Sequence, residues 1–384
     1  MRTRTLGPVM AIAILLAACA PAAPAPTPAP TPKPAAAQPQ PTAAKPAPPA
    51  AATAPAAAAQ KPAPKASAVD QVIQEARKEG AVKVVFPADF GQRGPRRLIE
   101  AFNKKYNLDL KVDYTSSASF EVEVSKVTTE LKTGGKPSWD VVMAAVRHIG
   151  EMDGGKLLTP FDWSGTFPHI PPNAVLADGL FVINGGSYHL PAYNPNLVKP
   201  ADVPRKWEDL LDPKWQGNIV AQSTASPWVR LTESWGEARV TALVEGLAKQ
   251  QPAFVSILQV VPRLVSGEYP LAPNVLNNLA FTEAEKGAPI RLAEEVKPVV
   301  GDYFGLVVPQ RAEHPNAARL FIAFNLTPEA QQIWWEEAKR GAPLVPGPLG
   351  DWLKNKEVIY TSTDFLLKEG PRLDLKYLKI LGLK

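Results

Sequence analysis

Apolar residues recur every three to four positions over 69–78 and stop at Gly80, a spacing that predicts an amphipathic helix with a glycine cap. The next apolar run, 82–86, is short and valine-rich, as a buried strand is. A Gly/Pro loop follows, and helical spacing returns over 96–106. The pattern then predicts a strand at 110–114, a helix at 120–132 and a strand at 140–144. Strands separated by single helices imply a parallel, doubly wound α/β sheet. Such sheets hold ligands beyond the carboxyl ends of their strands, which directs attention to loops 88–94, 116–119 and 144–148.

A second α/β region begins after residues 193–198. It carries a short helix at 206–211, a strand at 217–222 and a long helix over 228–249 with Gly236 in its interior. A helix over 254–266 contains Pro262, which should kink it. A strand at 269–272, a helix at 277–287 and a strand at 290–292 complete the region. The last third predicts a strand at 303–308 and helices at 315–325 and 328–340. There is no internal repeat.

Composition changes the picture at the amino-terminal end. The chain has 384 residues, 42 prolines, one cysteine and a formal net charge of +5. One cysteine excludes an internal disulfide and every multi-cysteine metal site. Residues 1–66 hold Arg2, Arg4, Lys33, Lys45, Lys61 and Lys65 and no acid. Removing those six from the 42 basic residues leaves 36 against 37 acidic ones, a net charge of −1 for the remainder. A nucleic-acid-binding face would survive that subtraction, so DNA and RNA are set aside as partners.

Residues 1–18 read as a signal peptide, with Arg2 and Arg4 before a short apolar run. Leu16-Ala17-Ala18-Cys19 resembles the bacterial lipoprotein box, which implies acylation of Cys19 and a lipid anchor. Residues 19–66 are almost wholly Pro, Ala, Thr, Gln and Lys, a composition that favours extended polyproline II over a packed core. At about 3.1 Å per residue this tether reaches on the order of 140 Å. The expected location is extracytoplasmic, anchored to a membrane.

The stretch Lys206-Trp207-Glu208-Asp209-Leu210-Leu211-Asp212-Pro213-Lys214-Trp215 resembles a hallmark of bacterial extracellular solute-binding proteins, the receptors of ABC importers, in their ferric-iron and related-solute branch. Four further stretches match in order: Glu75-Ala76-Arg77-Lys78-Glu79-Gly80, Asp140-Val141-Val142, Gly267-Glu268-Tyr269-Pro270-Leu271-Ala272, and His314-Pro315-Asn316-Ala317-Ala318-Arg319. The resemblance implies two doubly wound α/β lobes joined by a two-strand hinge, the type II periplasmic binding fold. Lobe one is then expected over 67–191 and 301–384, lobe two over 192–300, with crossings near 190–194 and 299–303. It also implies a monomer with no cofactor, a small-molecule solute in the cleft, and a membrane permease as partner.

Ser116-Ser117 and Ser223-Thr224-Ala225 each follow a strand and precede a helix. Hydroxyls and free N–H groups at two facing helix starts make an anion cradle, although Ser or Thr before Pro is also an ordinary helix cap. Ala144 opens the 144–148 loop at the carboxyl end of a predicted strand, where such sheets hold ligands. Ferric members of the family chelate iron through an adjacent tyrosine pair after the stretch that matches 267–272. This chain has Asn274, Asn277, Asn278 and Phe281 there and no Tyr-Tyr, so direct chelation by that constellation is not expected and no metal site is assigned. Asp89 is the acid expected near the ligand. Trp228 offers an indole for stacking on an organic or cationic solute, with core packing as its plainer role, and Tyr303 lies near the expected hinge.

Enzymatic readings lack their motifs. Lys132-Thr133-Gly134 resembles one motif of penicillin-interacting enzymes, but no Ser is followed three residues later by Lys. Gly185-Gly186-Ser187-Tyr188-His189 lacks the glycine a nucleophile elbow requires. The four histidines, at 148, 169, 189 and 314, have no paired metal spacing. The expected function is thus a lipid-anchored receptor for an oxyanion, small carboxylate or chelate that serves an importer. The alternatives are a tethered sensor for a signalling membrane protein, or import of ferric iron, a polyamine or thiamine.

Overall fold

The computed structural model describes residues 67–117 and 119–383; the expected signal peptide and tether and the expected acylation site Cys19 lie outside them. The first helix, Ala68–Glu79, starts at a capping box in which Ser67 and Asp70 exchange hydrogen bonds, and ends at Gly80 with φ 70°. Strand Ala81–Pro87 follows and pairs in parallel with Lys111–Ser117. A bridge between Val84 and Val141 leads to strand Val142–Ala145. Helices Arg93–Tyr106 and Phe120–Lys132 connect these strands. The predicted alternation is therefore present in the first region.

Two long strands then run through the molecule. Phe181–Tyr193 and Val299–Val307 pair antiparallel, from Val300 opposite His189 to Leu306 opposite Val182. Val299–Val307 also pairs with Val142–Ala145, which closes the first sheet. At the other end, Phe181–Tyr193 pairs with Leu271–Leu276, which a bridge from Leu271 to Ile219 joins to the parallel pair Val220–Gln222 and Ala253–Val255.

The buried side chains divide into two cores along these strands. Phe181, Val182, Ile183, Phe304 and Leu306 belong to the first core with Phe86, Phe102, Phe321 and Trp334. Tyr188, Leu190, Val299 and Val300 belong to the second with Trp207, Trp228 and Leu243. The crossing from one core to the other thus falls at 184–187 and 301–303. The crossings expected from the resemblance lie near 190–194 and 299–303. Gly185 and Gly186 sit inside the strand. A Cβ on Gly185 would lie 2.0 Å from the Phe304 ring, and one on Gly186 would lie 2.4 Å from the Tyr188 hydroxyl. Glycine is required because aromatic rings cross the strand at this point. Gly185→Ala is expected to destabilise the fold by about 1–3 kcal/mol through overpacking, read as a lower urea midpoint at unchanged slope.

The C-terminal segment departs from the expected division. Residues after about 348 were assigned to lobe one, yet Leu349, Leu353, Leu373, Tyr377 and Leu378 join the second core. Helix Gly370–Ile380 lays its apolar face against helices Ser226–Trp235 and Glu237–Lys249, and Thr232 Oγ1 and Tyr377 Oη are 2.9 Å apart. Strand Val358–Tyr360 pairs in parallel with Val299–Gly301, so this segment is tied to the hinge as well. Two elements also differ from their predicted extents. The helix over 228–249 is two helices separated by Gly236 at φ 80°, ψ 151°. The start of the predicted 254–266 helix is the strand Ala253–Val255, because its backbone pairs in parallel with Val220–Gln222.

Candidate functional site

The crossing strands place several polar side chains at the junction of the two lobes. From lobe one, the turn after Val142–Ala145 carries Val146 and Arg147, and His148 Nδ1 accepts from the Ala145 N–H at 3.2 Å to fix that turn. From lobe two, helix Ser226–Trp235 carries Arg230 one turn past Ser226-Pro227, which turns the side chain inward. The return strand supplies Asp302 and Tyr303, and the C-terminal segment supplies Tyr360. With Thr361 and Ser362 these residues line a cavity of about 260 Å³.

Arg230 organises this cavity. It is only 8% exposed. Its Nη2 donates to Asp302 Oδ2 at 2.7 Å, while Nη1 is out of solvent contact and has no partner. Burial of such a donor is costly unless something accepts from it. Arg147 approaches from the opposite lobe and is ion-paired to Glu121. Burial lowers the Arg147 pKa, an effect that Asp302 opposes and Arg230 reinforces. Burial also raises the Asp302 carboxyl above its usual range, against the pull of both arginines. Glu121 and Asp302 match the two guanidiniums in charge, so what suits an acceptor-rich group here is the unpartnered Nη1 of Arg230 beside an Arg147 whose pair lies outside the lining.

Aromatic rings close the other wall. Tyr303 and Tyr360 stack with centroids 3.8 Å apart and planes inclined by 15°, and Tyr360 Oη lies 3.1 Å from Tyr188 Oη. Burial raises all three phenol pKa values, and of the three Tyr303 and Tyr360 face the cavity, as neutral hydroxyls. His189, on the strand next to this cluster, is driven down to about 3, first by burial and then by Arg230.

A second region of lobe contact lies at the loop after Ala81–Pro87. Asp89 Oδ2 accepts from Asn278 Nδ2 at 3.2 Å and from Arg340 Nη2 at 2.6 Å. Asp89 belongs to the first lobe and Asn278 to helix Asn277–Glu285 of the second, so this contact spans the cleft. On the same helix, Glu285 accepts from Lys339 Nζ at 2.6 Å, and the Phe281 ring packs 5.5 Å from Trp335. Among the described residues, no group of three or more His, Cys, Asp or Glu side chains is placed to hold a metal ion.

The remaining candidates are dispersed. Ser116 is exposed on the edge strand, and Ser117 bonds to Glu123. Ala144 is buried in its strand opposite Gly305. In the other loop, Ser223 N donates to the Val255 carbonyl at 2.9 Å and its hydroxyl donates to the same oxygen at 3.2 Å. Thr224 Oγ1 accepts from Ser226 N at 3.2 Å, and Ala225 is fully buried. This loop therefore spends several of its donors on the chain itself. Trp228 is 3% exposed, with its ring edge-on to Trp207 at 5.7 Å, and its indole is part of the second core. Asn274 and Asn277 are buried; Asn277 Oδ1 accepts from Tyr188 N at 3.1 Å, and Asn274 Oδ1 has no partner. Of the residues singled out from the sequence, Tyr303 alone lines the arginine cavity. Arg147, Arg230, Asp302 and Tyr360 were not singled out. Arg147 lay within the 144–148 loop, and Arg230 stands one helical turn beyond the Ser226-Pro227 start, the two signals present in the chain.

Two α/β lobes, a pair of crossing strands and a polar cavity at the crossing define a two-lobed solute receptor. Residues 97–356 match the bacterial extracellular solute-binding protein family, more than half of the chain, and the protein belongs to that family, whose location is extracytoplasmic. No curated protein matches the sequence. Solved structures share the type II periplasmic binding fold. Iron-bound HitA from Pseudomonas aeruginosa aligns at TM-score 0.61 and 19% identity, over 79% of this chain and 99% of its own. The Trichodesmium protein IdiA (FutA), in complex with iron and citrate, gives 0.62 and 20%, over 79% and 100%. AfuA from Actinobacillus pleuropneumoniae, with fructose-6-phosphate bound, gives 0.60 and 20%, over 79% and 99%.

Proposed function

We propose that this protein is a receptor, anchored by a lipid on Cys19, that binds a small anionic solute between its lobes and passes it to the permease of an ABC importer. The observation that carries the reading is Arg230, a buried guanidinium with one nitrogen unpartnered, in a cavity that both lobes line. An anion accepting from Arg230 Nη1 and from Arg147 ties the lobes together, because each arginine belongs to a different lobe. Its binding energy is then available only in the closed arrangement, which is how a ligand shifts a hinged protein. Glu121, paired with Arg147 at the rim, is the carboxylate such a ligand competes with. The Tyr303–Tyr360 stack offers a flat neutral wall for the remainder of the solute. A ferric chelate that presents the carboxylates of its carrier fits the same donors, and it needs no tyrosine pair.

Thermal unfolding of the full chain against phosphate, sulfate, citrate, ferric citrate, fructose 6-phosphate, spermidine and thiamine tests the reading. A ligand present at about 1,000 times its dissociation constant adds roughly 4 kcal/mol and raises Tm by several degrees. A shift is expected with at least one anion and none with spermidine or thiamine. A shift confined to the cations would overturn the anionic assignment.

A further inference from the structure

The polar groups that line the arginine cavity are not equally available to a ligand. Thr361 Oγ1 donates to the Arg230 carbonyl at 3.2 Å, and Ser362 commits its N–H and its hydroxyl to Glu233 at 2.7 and 2.5 Å. Arg147 reaches the lining with Glu121 as its partner. What remains is the pair at the crossing strand. Arg230 Nη2 is bound to Asp302 Oδ2, and Nη1 of the same guanidinium is a donor without a partner. Asp302 is still an acceptor, because the Arg230 bond falls on Oδ2 and a carboxylate has lone pairs for about four donors. Its side chain lines the cavity and is 28% exposed.

A donor and an acceptor side by side select among anions. Sulfate, sulfonates and ionised carboxylates offer acceptors only, and each sets its charge against Asp302 with no hydrogen to share. An oxyanion that keeps an acidic hydroxyl at neutral pH meets both groups. One ionised oxygen accepts from Arg230 Nη1, and the neighbouring P–OH donates to Asp302. An O–H···O⁻ bond of this kind is charge-assisted and strong. An analogue that lacks the hydroxyl leaves the acceptor unpaired. The charge count points the same way. Asp302 and Glu121 already match Arg230 and Arg147, so the cavity favours the less charged, protonated form of an oxyanion.

Building on the anionic reading of this cavity, we propose that Asp302 is its specificity-determining residue and that the solute is a protonated oxyanion, a hydrogen phosphate or a small phosphonate. Asp302 is then the group that excludes sulfate. The Tyr303–Tyr360 stack and Leu366 line the space for the organic part of a phosphonate.

Calorimetric titration of the full chain at pH 7 with phosphate, sulfate, methylphosphonate and methanesulfonate tests it. Within each pair the anions are alike in shape and differ in the acidic hydroxyl. Phosphate and methylphosphonate are expected to bind about 100-fold or more tightly than their sulfur counterparts. Asp302→Asn, whose amide can donate to a fully ionised oxygen, should narrow that ratio by about tenfold or more, with sulfate strengthened and phosphate weakened. A variant that had only lost its fold would weaken every anion alike, and the wild-type comparison needs no variant. Sulfate binding as tight as phosphate, or an unchanged ratio in Asp302→Asn, would overturn the assignment and leave the anionic reading standing. No binding of phosphate or methylphosphonate would overturn it too. The Tm shifts with citrate, ferric citrate and fructose 6-phosphate then decide whether the anionic reading falls with it.

Discussion

Arg230→Gln is expected to weaken anion binding by about 100-fold or more, the largest effect of any single substitution in the cleft. Truncating one partner of a buried, hydrogen-bonded charge pair typically costs about 2–5 kcal/mol of binding. The same change also leaves Asp302 without the Nη2 donor now 2.7 Å away, in a setting where burial already raises its pKa. Asp302 retains 28% side-chain exposure, so the loss of folding stability is expected near the low end for a broken buried pair, about 1–3 kcal/mol. The two effects separate in the double variant Arg230→Gln/Asp302→Asn. Urea denaturation should show most of the stability restored, because neither an unpaired guanidinium nor an unpaired carboxylate is left. Calorimetry should show affinity still lost, because the Nη1 donor is gone. Wild-type affinity in the single variant would place the solute elsewhere.

Acid is expected to destabilise the fold through His189, and His189→Met to remove much of that sensitivity. The imidazole is held at about 3 in the folded chain, below its ordinary 6.5, by burial and by Arg230. As pH falls, the unfolded chain takes up this proton first. Stability from His189 is therefore complete above about pH 6.5 and declines toward pH 3. At pH 4.5 the loss relative to pH 7 is about 2.5 kcal/mol. His148, lowered chiefly by burial, acts in the same direction and leaves a residual slope in the variant. Asp302 has the opposite sign, since a raised carboxyl pKa contributes stability at low pH that is lost as pH rises through its folded value. The measurement is ΔG of unfolding at pH 7.0 and 4.5 for both proteins. An equal pH dependence in the two would show that His189 does not carry the acid sensitivity.

The α/β alternation, the parallel order of the first strands and the family were legible in the sequence, because each rests on local spacing or on short contiguous stretches. Val82–Phe86 reads as a strand whatever surrounds it, and Ser67 with Asp70 caps its helix within four residues. The first crossing was not legible in the same way. Gly185 and Gly186 are strand residues because they pair with Phe304 and Tyr303 of a strand more than 100 positions away, and only the Phe304 ring and the Tyr188 hydroxyl, brought up by tertiary packing, show why both must be glycine. The C-terminal helix carries an apolar face, but nothing in its own sequence says which core receives it.

The candidate site belongs to the same class of fact. Arg147, Arg230, Asp302 and Tyr360 come from four separate segments, and no spacing rule connects them. The sequence determined which side chains were available, the charge balance of the globular part and the elements on which each residue sits. The tertiary structure decided that Arg230 is buried beside Asp302 with a nitrogen to spare, while Trp228, two residues earlier on the same helix, faces the core. A two-residue step turns a helical side chain by about 200°. Which of those two directions meets the cleft is set only when the crossing strands bring the lobes together.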